Sequence, residues 1–204
     1  MGRVSKVQAQ ENRKRIVDTA SRLFREQGTH VSVADLMQAA GLTHGGFYKQ
    51  FASKEALVDE ATGHAFTELT ARRNAALAHH TDQGSARQSL IDAYLSTEHR
   101  DNAADGCPVA GLATDIARTP GDHEARQVFT EGVADFAAWL GGDSAGDSGS
   151  SHRDAERRDD GIAQLCTLFG AIVLARATTG SPLSEEILRV AHQALTTDRG
   201  SGPS

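Results

Sequence analysis

The run Gly41-Leu42-Thr43-His44-Gly45-Gly46-Phe47-Tyr48-Lys49-Gln50-Phe51 gathers hydroxyl, imidazole, phenol, ammonium and amide groups on one short segment. Tyr48, Lys49 and Gln50 are donors suited to phosphate oxygens, and His44 suits the N7 or O6 edge of a guanine. Phe47 and Phe51 stand four apart, so a helix turns both rings to one face and the donors away from it. Gly45 and Gly46 each weaken such a helix by about 1 kcal/mol relative to alanine. What they offer in return is access. Without Cβ atoms the helix end comes close to another molecule, with its unpaired N–H groups and positive dipole end near phosphate.

Other residues capable of chemistry are scattered. Gly142-Asp-Ser144-Ala-Gly146 has the G-x-S-x-G spacing of serine hydrolases, and Gly146-Asp-Ser148-Gly149 resembles a protease GDSG. Both need a strand leading into the serine, and a Gly/Ser/Asp-rich stretch yields such matches by chance. Nine histidines include no HExxH, and His79-His80 are adjacent and face different ways, so no metal or other cofactor is expected. Cys107, in Gly106-Cys107-Pro108, precedes a helix whose dipole favours a thiolate. It reads either as a redox or electrophile sensor or as a packed core thiol. Cys166 lies in an apolar helix and reads as inert, and the two cysteines form neither a CxxC pair nor a disulfide framework.

The elements that hold these groups are helical, and the fold class expected is all-α. Ile16, Ala20, Leu23 and Phe24 form an apolar stripe on a helix from Glu11 to Gln27. Ser32 with Asp35 makes a capping box for Val33–Ala40. Thr43 caps His44–Phe51, and Ser53 caps Lys54–Ala78. A glycine turn joining two short helices is the helix-turn-helix plan, whose second helix lies in a major groove of DNA. Further helices are expected over Ala86–His99, Pro108–Arg118, Asp122–Leu140, Arg153–Thr178 and Pro182–Thr196.

Charge supports the division. Residues 1–55 hold nine Lys/Arg against five Asp/Glu, a net of +4, leaving −10 for the remainder of a chain whose total is −6. A basic head on an acidic body suits a polyanion that meets the head alone. Arg3, Lys6 and Arg13-Lys14-Arg15 extend that basic character into an arm over 1–9 and the helix behind it. A mean hydropathy of −0.40, with no charge-free apolar run near 18 residues, argues against a membrane span. The opening residues lack the apolar core of a secretory signal, and the expected compartment is the cytoplasm. The stretch 141–152 is too polar to order itself and is expected to be a mobile loop, with a disordered tail over 198–204.

The last two helices are apolar beyond what one chain covers, and the expectation is a homodimer built as a four-helix interface. Its candidate residues are Ile162, Leu165, Phe169, Ile172 and Val173 on one helix and Leu183, Ile187, Leu188, Ala191 and Leu195 on the other.

The run SVADLMQAAGLTHGGFYKQFASKEALVDEA resembles the TetR/AcrR family of transcriptional repressors through Gly41, Thr43, Gly46, Phe47, Tyr48, Phe51, Ser53, Lys54, Glu55 and Leu57. The resemblance covers roughly residues 11–62. It implies a three-helix DNA-binding head (1–55), a helical body with a ligand pocket (56–204) and a homodimer through the last two helices. By the family pattern Tyr48 and Lys54 are phosphate contacts, and His44 and Gly45 lie where bases are read; Lys49 and Gln50 depart from it. The expected contact set is Ser32, Thr43, His44, Gly45, Gly46, Tyr48, Lys49, Gln50 and Lys54. The pocket is a family expectation, with candidate walls Phe66, Leu69, Leu90, Tyr94, Cys107 and Leu112, then Ile116, Phe129, Val133, Phe136 and Trp139. The function expected is a repressor that binds a palindromic double-stranded operator and is released by a small-molecule effector. The rival is a helical enzyme, or a sensor acting through Cys107, with the same head; no convergent acid–base or nucleophile set supports the enzyme.

Overall fold

The computed structural model describes residues 6–80, 82–120, 123–142 and 151–197, and every regular element among them is helical. In chain order these are α1 (Lys6–Gln27), α2 (Val33–Ala39), a 3-10 helix (His44–Lys49), α3 (Lys54–His79), α4 (Gln83–Tyr94) and α5 (Thr97–Asp101). They continue as α6 (Pro108–Arg118), α7 (Glu124–Gly141), α8 (Ser151–Ala177) and α9 (Pro182–Thr196). Contacts group the chain into two compact units. One comprises Met1–Leu69 with Ala103–Thr130, the other Thr70–Asn102 with Glu131–Ser204. The boundary expected after residue 55 falls within α3.

Several ends differ from the sequence reading. α1 starts at Lys6 rather than Glu11, so positions 6–9 of the expected flexible arm are helical. Those residues include no glycine or proline, and a Gln8–Asn12 hydrogen bond of 3.3 Å spans the first turns. The rest of the arm, residues 1–5, lies outside the described residues, as do 143–150 of the expected loop and the tail 198–204. Helix occupies both edges of that loop, since α7 ends at Gly141 and α8 begins at Ser151.

The first unit is built around one apolar cluster. Ile16, Val17, Ala20 and Phe24 of α1 meet Leu36 and Met37 of α2, Phe47, Phe51, and Leu57 and Ala61 of α3. Leu112 and Ile116 of α6 join the same cluster. Each large side chain fully removed from water here stabilises the fold by roughly 1.5–3 kcal/mol. Gly111 is what lets α6 approach α1, because a Cβ there would stand 2.8 Å from the Arg25 Cα. Buried Arg25 fastens the junction, donating to the carbonyls of Ser21 (3.1 Å) and Gly106 (3.2 Å) and to the Glu68 carboxylate (3.0 Å). Asp59 of α3 accepts from the Ala125 amide at 2.9 Å and so caps the start of α7.

In the second unit α8 and α9 pack on each other most extensively. Leu165, Leu168, Ile172 and Ala175 are buried with Leu188 and Ala191. α8 is long and apolar enough, by length and composition alone, to cross a bilayer, which the scarcity of charge-free runs did not suggest. Its early turns nevertheless carry Arg153, Asp154, Glu156, Arg157, Arg158, Asp159 and Asp160.

The single helix expected over Ala86–His99 is two, because Leu95 leaves helical geometry and Ser96, extended, caps α5 through the His99 amide at 3.1 Å. A polar cluster holds this break. Arg176 of α8 donates to the carbonyls of His99 (2.9 Å) and Arg100 (3.1 Å), at the carbonyl end of short α5. Arg100 donates to Ser184 Oγ at 3.0 Å, and Ser184 donates onward to the Ala175 carbonyl at 2.7 Å. The His99 Nδ1–H donates to the Tyr94 carbonyl at 2.7 Å, with the two rings 4.5 Å apart.

Burial pushes the His99 imidazole down to about 4, against the pull of the Tyr94 carbonyl, with Arg176 and Arg72 adding repulsion. Since the folded value lies below the unfolded 6.5, stability is full above pH 6.5 and falls as pH drops towards 4. The loss due to this one ring is expected to be about 3 kcal/mol. Urea unfolding at pH 7 and pH 4.5, compared between the wild type and His99→Gln, measures it. The wild type should lose that much more stability over the interval, and equal losses would refute the assignment.

Candidate nucleic-acid interface

The turn between α2 and the next helix is closed by local hydrogen bonds. Gly41 adopts φ +66° and donates to the Gln38 carbonyl at 2.9 Å, while the Leu42 amide reaches the Met37 carbonyl at 2.8 Å. The Ser32 side chain caps α2 at 3.1 Å, as its sequence pattern predicted. Ser53 likewise caps α3 through the Ala56 amide at 3.2 Å. Thr43 does not behave as expected: it occupies the N-cap position with no side-chain capping bond. The helix after it is also 3-10 rather than α, opening with Gly46 N–H to the Thr43 carbonyl at 2.9 Å. Two adjacent glycines weaken an α-helix here, and the segment closes i→i+3 bonds over six residues, longer than the form usually runs. At its end the Phe47 carbonyl accepts from both Gln50 (2.8 Å) and Phe51 (3.0 Å).

The aromatic pair sorts the side chains. Phe47 and Phe51 are buried, stacked at 5.5 Å between centroids. Their burial sends Tyr48 outward at 65% exposure, although its ring edge still rests 5.1 Å from Phe47 and 6.2 Å from His44. Ser32, Thr43, His44, Gly45 and Lys49 are exposed, and Gly46, Gln50 and Lys54 are half-buried. Lys54 opens α3 beside Glu55, whose carboxyl is held below its usual range chiefly by its own backbone N–H and then by the Ser53 hydroxyl. That carboxylate meets the positive end of the α3 dipole, where a lysine alone is unfavourable.

The glycines are not required by the chain's own packing. A Cβ at Gly45 would meet nothing within 4 Å, and one at Gly46 would make ordinary contact with Met37 at 3.5 Å. Neither has a positive φ. The basic head is also less available than its net charge suggested. Arg13 pairs with Glu60, Arg22 with Asp105 and Arg25 with Glu68, each carboxylate lying outside residues 1–55. Lys6, Lys14, Arg15 and Lys49 remain exposed.

The remaining candidate residues divide between the two units. In the first, Leu112 and Ile116 belong to the main core, Phe129 packs against it, and Phe66 meets Phe129 edge-on at 5.6 Å. Leu69 and Cys107 are buried, Cys107 at 3% exposure, so its thiol is not presented to solvent. In the second unit Tyr94 and Phe136 are buried, while Leu90, Val133 and Trp139 are half-buried. Buried Arg73 pairs with Asp135 and lies over the rings of Phe136 (5.3 Å) and Trp139 (5.9 Å). An open cavity of about 380 Å³ in this unit has other walls: Leu95, Thr97, Glu185, Leu188, Arg189, His192 and Gln193.

Of the candidate interface residues, Leu165, Ile172, Leu188 and Ala191 are buried within the single chain. Ile162 and Leu183 are exposed, and Phe169, Val173, Ile187 and Leu195 half-buried. Sequence reasoning missed exposed Val190 and Leu174. Val190 stands seven residues after Leu183, so extending the stripe Leu183–Ile187 by one turn would have found it. Cys166, on the apolar helix α8, is exposed.

A short helix carrying outward donors, joined to α2 across the Gly41 turn, has the plan of a helix-turn-helix, a DNA-docking motif. Residues 16–61 match the model for bacterial regulatory proteins of the tetR family. The chain is similar to the TetR/AcrR family over that matched segment, and the family model does not extend to the remainder. It is 43% identical over 61 residues to the HTH-type transcriptional regulator AcrR of Shigella flexneri, a match covering 29% of this chain and 28% of that one. An uncharacterized HTH-type transcriptional regulator of Mycobacterium tuberculosis is 27% identical over 172 residues, 80% of this chain and 84% of that one. The fold is similar to that of reduced E. coli NemR (TM-score 0.70, 17% identity, 91% and 95% of the two chains). It is also similar to a regulator of Saccharomonospora viridis solved with choline (TM-score 0.66, 15% identity, 93% and 97%).

If Gly45 is kept small for DNA rather than for the fold, Gly45→Ala separates the two. Thermal unfolding should stay level or rise, by up to about 1 kcal/mol. Affinity for a duplex selected by the wild-type protein should fall about tenfold, the equivalent of about one hydrogen bond. A variant that binds as the wild type does would remove the glycine from the contact face.

Proposed function

We propose that this chain is a homodimeric cytoplasmic repressor that binds a palindromic operator and is released by a small-molecule effector. The observation that carries the reading is a pair of surfaces: the donor-bearing 3-10 helix with exposed His44, Tyr48 and Lys49, and the apolar stripe of Leu183, Ile187 and Val190 on α9. The relatives named above are regulators, which supports a role without catalysis.

In this reading Ser32, Thr43, Tyr48, Lys49, Gln50 and Lys54 hold the sugar–phosphate backbone, and His44 with Gly45 and Gly46 meets base edges. Ile162, Phe169 and Val173 of α8 join the α9 stripe against the same face of a second copy. Two heads about 34–36 Å apart then enter successive major grooves. The effector occupies residues 56–204 and favours a spacing that does not fit DNA; a coupling of about 1–3 kcal/mol suffices for a 5- to 150-fold change in affinity. A choline complex of a structural neighbour supports a small ligand as the effector's class.

Val190→Glu tests the dimer and its consequence together. An unpaired carboxylate at the proposed interface should turn the protein monomeric in sedimentation equilibrium. Without the second head, affinity for a selected duplex should drop by about 10²- to 10⁴-fold. A Val190→Glu protein that remains dimeric and binds normally would overturn the proposed interface.

A further inference from the structure

We propose that Arg13 is a positioning residue for DNA recognition: it sets the angle of the 3-10 helix and does not itself contact DNA. The proposal rests on the reading of residues 43–50 as the DNA-contacting segment. By sequence Arg13 opens the basic run Arg13-Lys14-Arg15 and adds to the positive charge of the head. Its guanidinium is engaged on three sides instead. One amino group donates to the Gln50 carbonyl, thirty-seven residues away in sequence. The other donates to the Glu60 carboxylate of α3. The face of the group lies 4.2 Å from the Phe51 ring centroid.

Gln50 is the C-cap of the 3-10 helix, so its carbonyl belongs to the end that lacks intrahelical donors. A cation there also complements the negative end of the helix dipole. Phe51 anchors the segment in the core, and Glu60 belongs to the following helix. One side chain of α1 thus ties together the end of the contact helix, its aromatic anchor and α3. Arginine suits the task because its planar fork donates in two directions while its face stacks on a ring, which an ammonium cannot do at once. Arg13 and Glu60 are both partly exposed, at 40% and 39%, so the ion pair adds little to overall stability. Its effect is on geometry. The contact helix is only six residues long and contains two glycines, so it has little stiffness of its own.

The test uses full-length protein, a duplex selected from a random pool by the wild type, and an unrelated duplex of equal length. Arg13→Gln and Glu60→Gln should each weaken binding to the selected duplex about tenfold, and the double variant no more than Arg13→Gln alone. The slope of affinity against salt, and affinity for the unrelated duplex, should stay at wild-type values. Lys49→Ala is the contrast: it should weaken both duplexes and lower the slope by about 0.9 per subunit. Glu60→Gln is near-isosteric and half-exposed, so it decides the matter even if Arg13→Gln folds poorly. Removing a negative charge from a DNA-binding head strengthens binding if charge alone matters, whereas the proposal requires weakening. Tighter binding by Glu60→Gln, wild-type affinity in both single variants, or a lowered salt slope in Arg13→Gln would each overturn it. A wild-type protein that selects no duplex would instead bring down the DNA reading of residues 43–50 itself.

Discussion

Burial of Phe47 and Phe51 is the constraint from which the rest of the head follows. Two rings four residues apart, both within the core shared by α1, α2 and α3, leave a short helix one way to lie. Because the rings point inward, His44, Tyr48 and Lys49 point outward. The interior thus places the surface chemistry, and it does so with a helix that two glycines make weak on its own account. Packing of an amphipathic face overrides propensity here, as it does in most short helices of folded proteins.

Parts of this arrangement were legible in the sequence because they depend on neighbours a few residues away. The stripe Ile16–Phe24, the caps at Ser32 and Ser53, and the aromatic spacing of the contact helix are local patterns, and each has its counterpart in the structure. What escaped depends on distant partners. The break between α4 and α5 is held by Arg176, some eighty residues on, and within residues 86–99 the capping residue Ser96 is its local mark. The 3-10 form was written in the glycines but read as an access device alone. Arg13 registered only as part of a basic run because its partners at 50 and 60 are remote. The apolar residues of α8 and α9 were recognised, but which of them the chain covers itself was not. Leu165 and Ile172 go inside and Ile162 and Leu174 do not, and only the packing of α8 on α9 makes that distinction.

Charge illustrates the same point. A net of +4 over residues 1–55 is a fair signal of a polyanion partner, yet Arg13, Arg22 and Arg25 spend their charge on carboxylates supplied by later segments. The cations left exposed are fewer. A narrow set of free cations placed by a rigid core favours recognition in one register over general adhesion, and the acidic remainder of the chain discourages the latter further.

Amide hydrogen exchange on the full-length protein, with and without a selected duplex, tests most directly whether the opened first turn of the contact helix meets DNA. The backbone N–H groups of His44 and Gly45 precede the first intrahelical bond of that helix, which begins at Gly46. They should exchange rapidly in the free protein and slow markedly when DNA is added, together with little change across α8 and α9. Unchanged exchange at these two amides, with protection appearing on another surface, would contradict the account.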